Sequence, residues 1–261
     1  MLAAETFLAD IAQNVAGDRL AVESLLGPGI DPHEFQATPR DAIRIAQAQV
    51  LIVNGRGYET WLQKTLDATE NPPLVVEASA GVAGDQKDPH LWMSPGNVIR
   101  YVENIRDGFS RADPDGASEY AANADAYISG LRDLDAWILQ QVANVPEARR
   151  VLITNHHALE SFARAYGFQI AGVVIPGYTS ESAPSAQQMA ELIRTIQTMQ
   201  VPAIFLDVSE NPDLARQLAS ESGARVITGL YVETLSGPDG PAPSYVEMLK
   251  YDVNLIVDAL K

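Results

Sequence analysis

The chain of 261 residues holds only four histidines, and each lies in a context that limits where its imidazole can point. Asp31-Pro32-His33-Glu34-Phe35 and Asp88-Pro89-His90-Leu91-Trp92 are two copies of one pattern, Asp-Pro-His with an aromatic residue two positions on. Proline fixes its own φ and drives the preceding residue to an extended conformation, so each histidine leaves a stiff turn. The other two, His156-His157, follow the apolar run Val151-Leu152-Ile153-Thr154 and therefore stand at a strand end. A lone histidine in a turn is ordinarily a surface residue. The repeated context and the shortage of histidine elsewhere favour scarce imidazoles on rigid supports, which suit a preformed metal site. With no cysteine in the chain, thiolate nucleophiles, disulfides and sulfur ligation are excluded, leaving His, Asp and Glu as possible ligands.

The elements that must position these residues follow from apolar periodicity. Leu2 to Glu5, Ala21 to Leu26, Val50 to Asn54 and Leu74 to Glu77 read as strands. Between them, Phe7-Leu8-x-x-Ile11-x-x-x-Val15, Arg40 to Ala48 and Glu59 to Ala68 have helical character. Strands alternating with helices imply βαβ units and a mostly parallel sheet. After a helix from Asn97 to Ser110, the longest helical pattern of the chain runs from Asp113 to Val145. Its stripe Tyr120, Ala124, Tyr127, Leu131, Leu134, Ile138 steps by four and three. About 30 residues would make a rod of roughly 45 Å, long enough to join two lobes.

Past Pro146 the alternation restarts, with strands at Val151 to Thr154, Ile170 to Ile175, Ala203 to Asp207 and Arg225 to Thr228. Helices are expected from Ser185 to Met199, Asn211 to Ser222 and Tyr245 to Leu260, with another that follows His157 and runs through Ala165. The expected fold is α/β, with two lobes, each a mostly parallel β-sheet flanked by helices, joined by one long backbone helix. The boundaries fall at residues 1–112, 113–146 and 147–261. Ligands of open α/β sheets bind beyond the carboxyl ends of strands. The histidines and Glu233 all fall at or just past such ends, which places them in one cleft between the lobes.

Composition narrows the function classes. A hydrophobic share of 46% with 20% charged residues describes a globular chain and not a disordered one. The net charge of −16 argues against nucleic acid, whose phosphates need clustered Lys and Arg. No apolar run approaches the about 18 residues of a membrane span. Met1 runs straight into Leu2-Ala3-Ala4 with no basic and apolar leader, as expected of an exported protein after leader removal.

Taken in order, these motifs resemble the extracytoplasmic solute-binding proteins of ABC-type importers for zinc, manganese and iron. The resemblance spans nearly the whole chain. It rests on Phe7-Leu8-Ala9-Asp10-Ile11 with Gly17-Asp18, Asp31-Pro32-His33-Glu34-Phe35 with Pro39-Arg40-Asp41, and Asp88-Pro89-His90-Leu91-Trp92 with Asn97. It continues through Thr154-Asn155-His156 with Ala158, then Tyr166-Gly167, and ends on Tyr245, Met248 and Leu249. The resemblance implies His33 and His90 as metal ligands from the first lobe, and His156 and Glu233 from the second. Histidine at the third position favours Zn²⁺, with Mn²⁺ or Fe²⁺ as the alternative. The usual fourth ligand is aspartate, so Glu233 is a departure, and the short loop Ala78 to Lys87 lacks the family's His-rich insertion. The resemblance also implies a membrane permease as partner and a location in the periplasm or lipid-anchored at the cell surface; a monomer is expected because transport partners need an open cleft face.

His157 is expected beside the site and not in it. Trp92 and Phe35 are candidates to shield the ion, or simply to pack the core. A closed shell of four protein ligands separates such a binder from a catalytic zinc, which keeps one position for water. The competing enzyme is a zinc hydrolase with Glu233 as general base, and no His-Glu-x-x-His helix or Gly-x-Ser-x-Gly elbow supports it. Asp207 and Glu210 also follow a strand end. They are read here as members of a solvated loop.

Overall fold

The computed structural model describes residues 1–180 and 183–261. The chain begins β1 (Leu2–Ala3), α1 (Thr6–Ala16), β2 (Glu23–Ser24), α2 (Pro39–Gln47), β3 (Val50–Val53), α3 (Leu62–Asp67) and β4 (Leu74–Glu77). These strands form a parallel sheet in the order β2-β1-β3-β4. Two helices follow, α4 (Pro95–Ala112) and α5 (Ala117–Val142). The second half is β5 (Val151–Thr154), α6 (Glu160–Tyr166), β6 (Gln169–Val173), α7 (Ala186–Met199), β7 (Ala203–Asp207), α8 (Asp213–Ser222), β8 (Arg225–Leu230) and α9 (Tyr245–Leu260). Its sheet is also parallel, in the order β6-β5-β7-β8. The fold is thus two parallel four-stranded sheets flanked by helices, with a long helix joining the lobes.

Alternation along the central strands explains how the lobes are held together. Side chains on a strand point alternately to opposite faces. In β3, Val50 and Ile52 enter a core that continues into the other lobe, whereas Leu51 and Val53 face a smaller cluster with Leu25, Leu26, Ile45 and Leu62. In β7, Ala203 and Phe205 enter the shared core, while Ile204 and Leu206 face a cluster with Leu192, Ile196 and Leu218. The buried stripe of α5, Tyr120, Ala124, Ile128, Leu131, Leu134, Ile138 and Val142, belongs to the shared core. Each sheet therefore packs one face on an apolar mass common to both lobes.

The long helix is shorter than its apolar pattern predicts. It covers 26 residues, about 39 Å, with a separate 3-10 turn at Pro114–Gly116 before it. Pro114 ends the preceding geometry, and the Asp113 carboxylate is used by Arg19 and Tyr120. Ile128 replaces Tyr127 on the fully buried face. The first two strands shrink to two residues each; β1 gives way to α1 at Thr6, and β2 leads into the loop that carries His33. The predicted helix from Glu59 also starts later, at Leu62, because the Glu59 side chain folds back to accept from the Asn54 and Gly55 amides. Gly55 supplies the φ of 89° that this turn requires.

Candidate metal centre

The two Asp-Pro-His turns have one construction. In the first, Asp31 Oδ1 accepts from the His33 amide at 2.8 Å; in the second, Asp88 Oδ1 accepts from the His90 amide at 2.9 Å. The intervening proline offers no N–H, so the aspartate closes the turn two residues on, and the histidine direction is set by both. The turns differ in their second oxygen. Asp31 Oδ2 accepts from Ser180 Oγ of the other half at 2.6 Å, while Asp88 Oδ2 is buried without a partner.

These turns, the end of β5 and the segment after β8 converge. His33, His90, His156 and Glu233 are all buried and form the one group of ligand-type side chains found among the described residues. Glu233 Oε1 lies 3.0 Å from His33 Nε2, 3.0 Å from His156 Nε2 and 3.3 Å from His90 Nε2. His90 Nε2 is 3.4 Å from both His33 Nε2 and His156 Nε2. Five of the six edges have this length and the sixth is within 4.8 Å. A regular tetrahedron with the five measured edge lengths has its centre about 1.8–2.1 Å from each corner, against about 2.0–2.2 Å for zinc bound to imidazole nitrogen or carboxylate oxygen. The arrangement can hold a small divalent cation.

The electrostatics of the group are those of a buried ion pair. Burial pushes the Glu233 carboxyl up, but His33 and His156, through charge and hydrogen bonds, hold it well below the ordinary carboxylate range. Burial pushes the His156 imidazole down, yet the Glu233 charge and the hydrogen bonds to Glu210 and Glu233 raise it to about 10. Asp207 is raised to about 6 by burial and by the Glu233 charge. It accepts from the backbone amides of Val232 and Glu233, so it fixes the segment that presents the acid.

Around the four, the outcome for each remaining candidate is specific. Trp92 lies 5.2 Å from the His90 ring, stacks on Phe7 at 4.4 Å, and donates from Nε1 to Val232 O across the cleft at 2.7 Å. Phe35 instead packs edge-on to Trp61 at 5.0 Å, away from the ligand-type group. His157 is outside the group; its Nδ1 meets Glu160 and its ring leans on Tyr178. The expectation of a solvated loop at Asp207 and Glu210 is wrong. Both side chains are buried, and Glu210 Oε1 sits 3.0 Å from His156 Nδ1. The signal that could have found them was their place after a strand end, the same one that singled out His156. Tyr58, edge-on to His33 at 5.0 Å and to His90 at 5.6 Å, carried no such signal. Nor did Glu5, a buried carboxyl with neither oxygen partnered, whose pKa burial and Glu59 raise well above the ordinary value.

Comparison with known proteins gives the same picture. The family model ZnuA, described as the periplasmic component A of a zinc-uptake complex, matches residues 1–259. The chain is 32% identical over 260 residues to the manganese-binding lipoprotein MntA of Halalkalibacterium halodurans, covering 98% of this chain and 86% of that one. It is 34% identical over 260 residues to the iron-binding protein YfeA of Yersinia pestis, covering 96% and 83%. The solved structure of the periplasmic zinc-binding protein TroA from Treponema pallidum superposes with a TM-score of 0.92 at 27% identity, covering 99% and 98% of the two chains. Among the described residues no helix is long and apolar enough to cross a membrane.

Proposed function

The chain belongs to the ZnuA family of metal-binding, substrate-binding proteins of ABC importers, and from that premise we propose that its cargo is zinc, held by His33, His90, His156 and Glu233. Members of the family are solute-binding proteins and not enzymes, so the hydrolase reading is set aside. The observation that carries the proposal is the spacing of the four donor atoms, 3.0 to 3.4 Å along the five edges described above. Three neutral imidazoles and one carboxylate leave a bound Zn²⁺ complex with one net positive charge. All four corners are protein atoms, which suits capture, whereas a catalytic zinc keeps a corner for water.

Delivery follows from the same geometry. The ion is enclosed by loops of both lobes, so a permease in the membrane obtains it when one lobe shifts and withdraws its ligands. The shared core and the cross-cleft hydrogen bonds, Trp92 Nε1 to Val232 O at 2.7 Å and Ser161 Oγ to His90 O at 2.6 Å, favour a small displacement. This role places the protein outside the cytoplasmic membrane, in the periplasm or tethered by lipid.

A second reading, manganese or iron as cargo, is favoured by one feature. Glu233 Oε2 is buried without a hydrogen-bond partner, so the carboxylate has a further oxygen for an ion that prefers more oxygen ligands. The deciding experiment loads the stripped protein from an equimolar mixture of Zn²⁺, Mn²⁺ and Fe²⁺ under anaerobic conditions, with elemental analysis of the bound ion. One zinc per chain is expected. Predominant manganese or iron transfers the conclusion to the second reading, and no bound metal at all removes both.

A further inference from the structure

The loop after β7 supplies no atom to the four-donor group, yet it grips both donors of the second lobe. At its start, Asp207 Oδ2 accepts from the Glu233 amide at 3.3 Å and also from the Val232 amide. Its other oxygen is occupied within the loop, accepting from Ser209 N at 2.8 Å and Ser209 Oγ at 2.6 Å. Three residues on, Glu210 donates its own amide to Asp207 O at 3.2 Å, which turns its side chain inward. Its carboxylate then spans two neighbours, with Oε1 at 3.0 Å from His156 Nδ1 and Oε2 accepting from Asn155 Nδ2. The side chain is only 4% exposed.

The three imidazoles are therefore not equivalent. Among the described residues, His33 Nδ1 and His90 Nδ1 are buried with no hydrogen-bond partner, and Asp88 Oδ1 stands 3.6 Å from His90 Nδ1. Of the three, only His156 has its Nδ1 within hydrogen-bond distance of a carboxylate among the described residues. A carboxylate has no proton to give, so the hydrogen of this contact sits on Nδ1, and once an ion displaces the proton shared with Glu233, Nε2 offers it a lone pair. Such a partner fixes tautomer and ring orientation and makes the imidazole a stronger donor. A stronger nitrogen donor benefits an ion that favours imidazole more than one that favours oxygen.

We propose that Glu210 is the positioning residue that selects the cargo: by holding His156 in the Nδ1–H tautomer with Nε2 aimed at the ion, it biases the site toward zinc over manganese. The inference rests on the proposed reading of the four residues as the cargo site. Glu210 touches no cargo itself. Asn155 is its second anchor, donating from Nδ2 to Oε2 while Oε1 meets His156 Nδ1.

The test uses Glu210→Gln, which preserves shape and removes the charge, and Glu210→Ala, which removes the partner. Dissociation constants are measured for Zn²⁺ alone and Mn²⁺ alone by competition against a chelating dye at one pH. For Glu210→Ala, zinc binding is expected to weaken by roughly 10- to 100-fold, the usual cost of losing such a partner, and manganese binding by less than about threefold. The zinc-to-manganese ratio then falls at least about tenfold. Glu210→Gln is expected to shift the ratio the same way by a smaller factor, because the amide oxygen can still accept. In the zinc-loaded protein, nitrogen NMR of His156 is expected to show a slowly exchanging Nδ1–H that is lost in Glu210→Ala. Equal weakening for both ions, or an unchanged ratio in both variants while the parent protein binds zinc, overturns the role of Glu210 and leaves the cargo site standing. Failure of the parent protein to bind either ion overturns the cargo site and this inference together.

Discussion

Zinc binding should be coupled to proton release, with a slope set by His156. Its imidazole is pushed up to about 10, because the Glu233 charge and the hydrogen bonds to Glu210 and Glu233 outweigh burial. An ion arriving at Nε2 must displace the proton held between His156 and Glu233, whose atoms are 3.0 Å apart. Glu233, held well below the usual carboxylate range, contributes no proton near neutrality. At pH 7 the gap to about 10 is three units. The apparent zinc affinity is then about 1000-fold below that of the same site with a neutral imidazole, or about 4 kcal/mol at roughly 1.4 kcal/mol per unit. Each unit of pH gained recovers about tenfold, so between pH 6 and pH 8 the association constant should rise about 100-fold. The assay is competition with a dye of known proton affinity at constant ionic strength. It is paired with calorimetry in buffers of different ionisation enthalpy, which counts the protons released. Glu233→Gln removes the main upward pull, and the His156 midpoint in the ion-free variant should fall by at least about one unit. An association constant that changes by less than about threefold from pH 6 to pH 8, with no proton released, would refute the coupling.

The same shift acts on stability with a definite sign. The folded value of His156 lies above the ordinary 6.5, so its contribution is fully present below about pH 6.5 and is lost as pH rises toward 10. The ion-free protein should therefore show a lower Tm at pH 9.5 than at pH 6.5 by differential scanning calorimetry, and zinc loading should reduce that fall. His90→Ala removes a fully buried member of the four and should cost zinc affinity more than the roughly 100-fold loss expected of an outer partner, with the far-UV spectrum retained. Trp92→Phe deletes the 2.7 Å bond from Nε1 to Val232 O and leaves that carbonyl buried, so urea unfolding should show a loss of about 1–3 kcal/mol. An unchanged midpoint would mean that this cross-cleft bond does not help hold the lobes together.

The alternating apolar runs at Val50–Val53 and Ala203–Asp207 were legible because a parallel strand between helices has few other ways to bury both faces. The stripe on α5 was equally plain, apart from its ends and the exchange of Tyr127 for Ile128, since boundaries depend on Asp113 and its partners and not on periodicity. Glu210 and Asp207 were misread because nothing in a linear text says whether an acid after a strand turns outward or inward. That choice was made by Asn155, His156 and the amides of Val232 and Glu233, all distant in sequence.

The amino-acid order alone determined the scarcity of histidine, the absence of cysteine, the two stiff Asp-Pro-His turns and the two alternating halves, because these are properties of local chemistry and short-range periodicity. Only the tertiary structure decided that His33, His90, His156 and Glu233 stand within one small volume, that His157 does not, and that one imidazole of three is backed by a carboxylate. Those outcomes depend on angles at which separate strands end and on which buried charge finds which partner, and no local rule contains either.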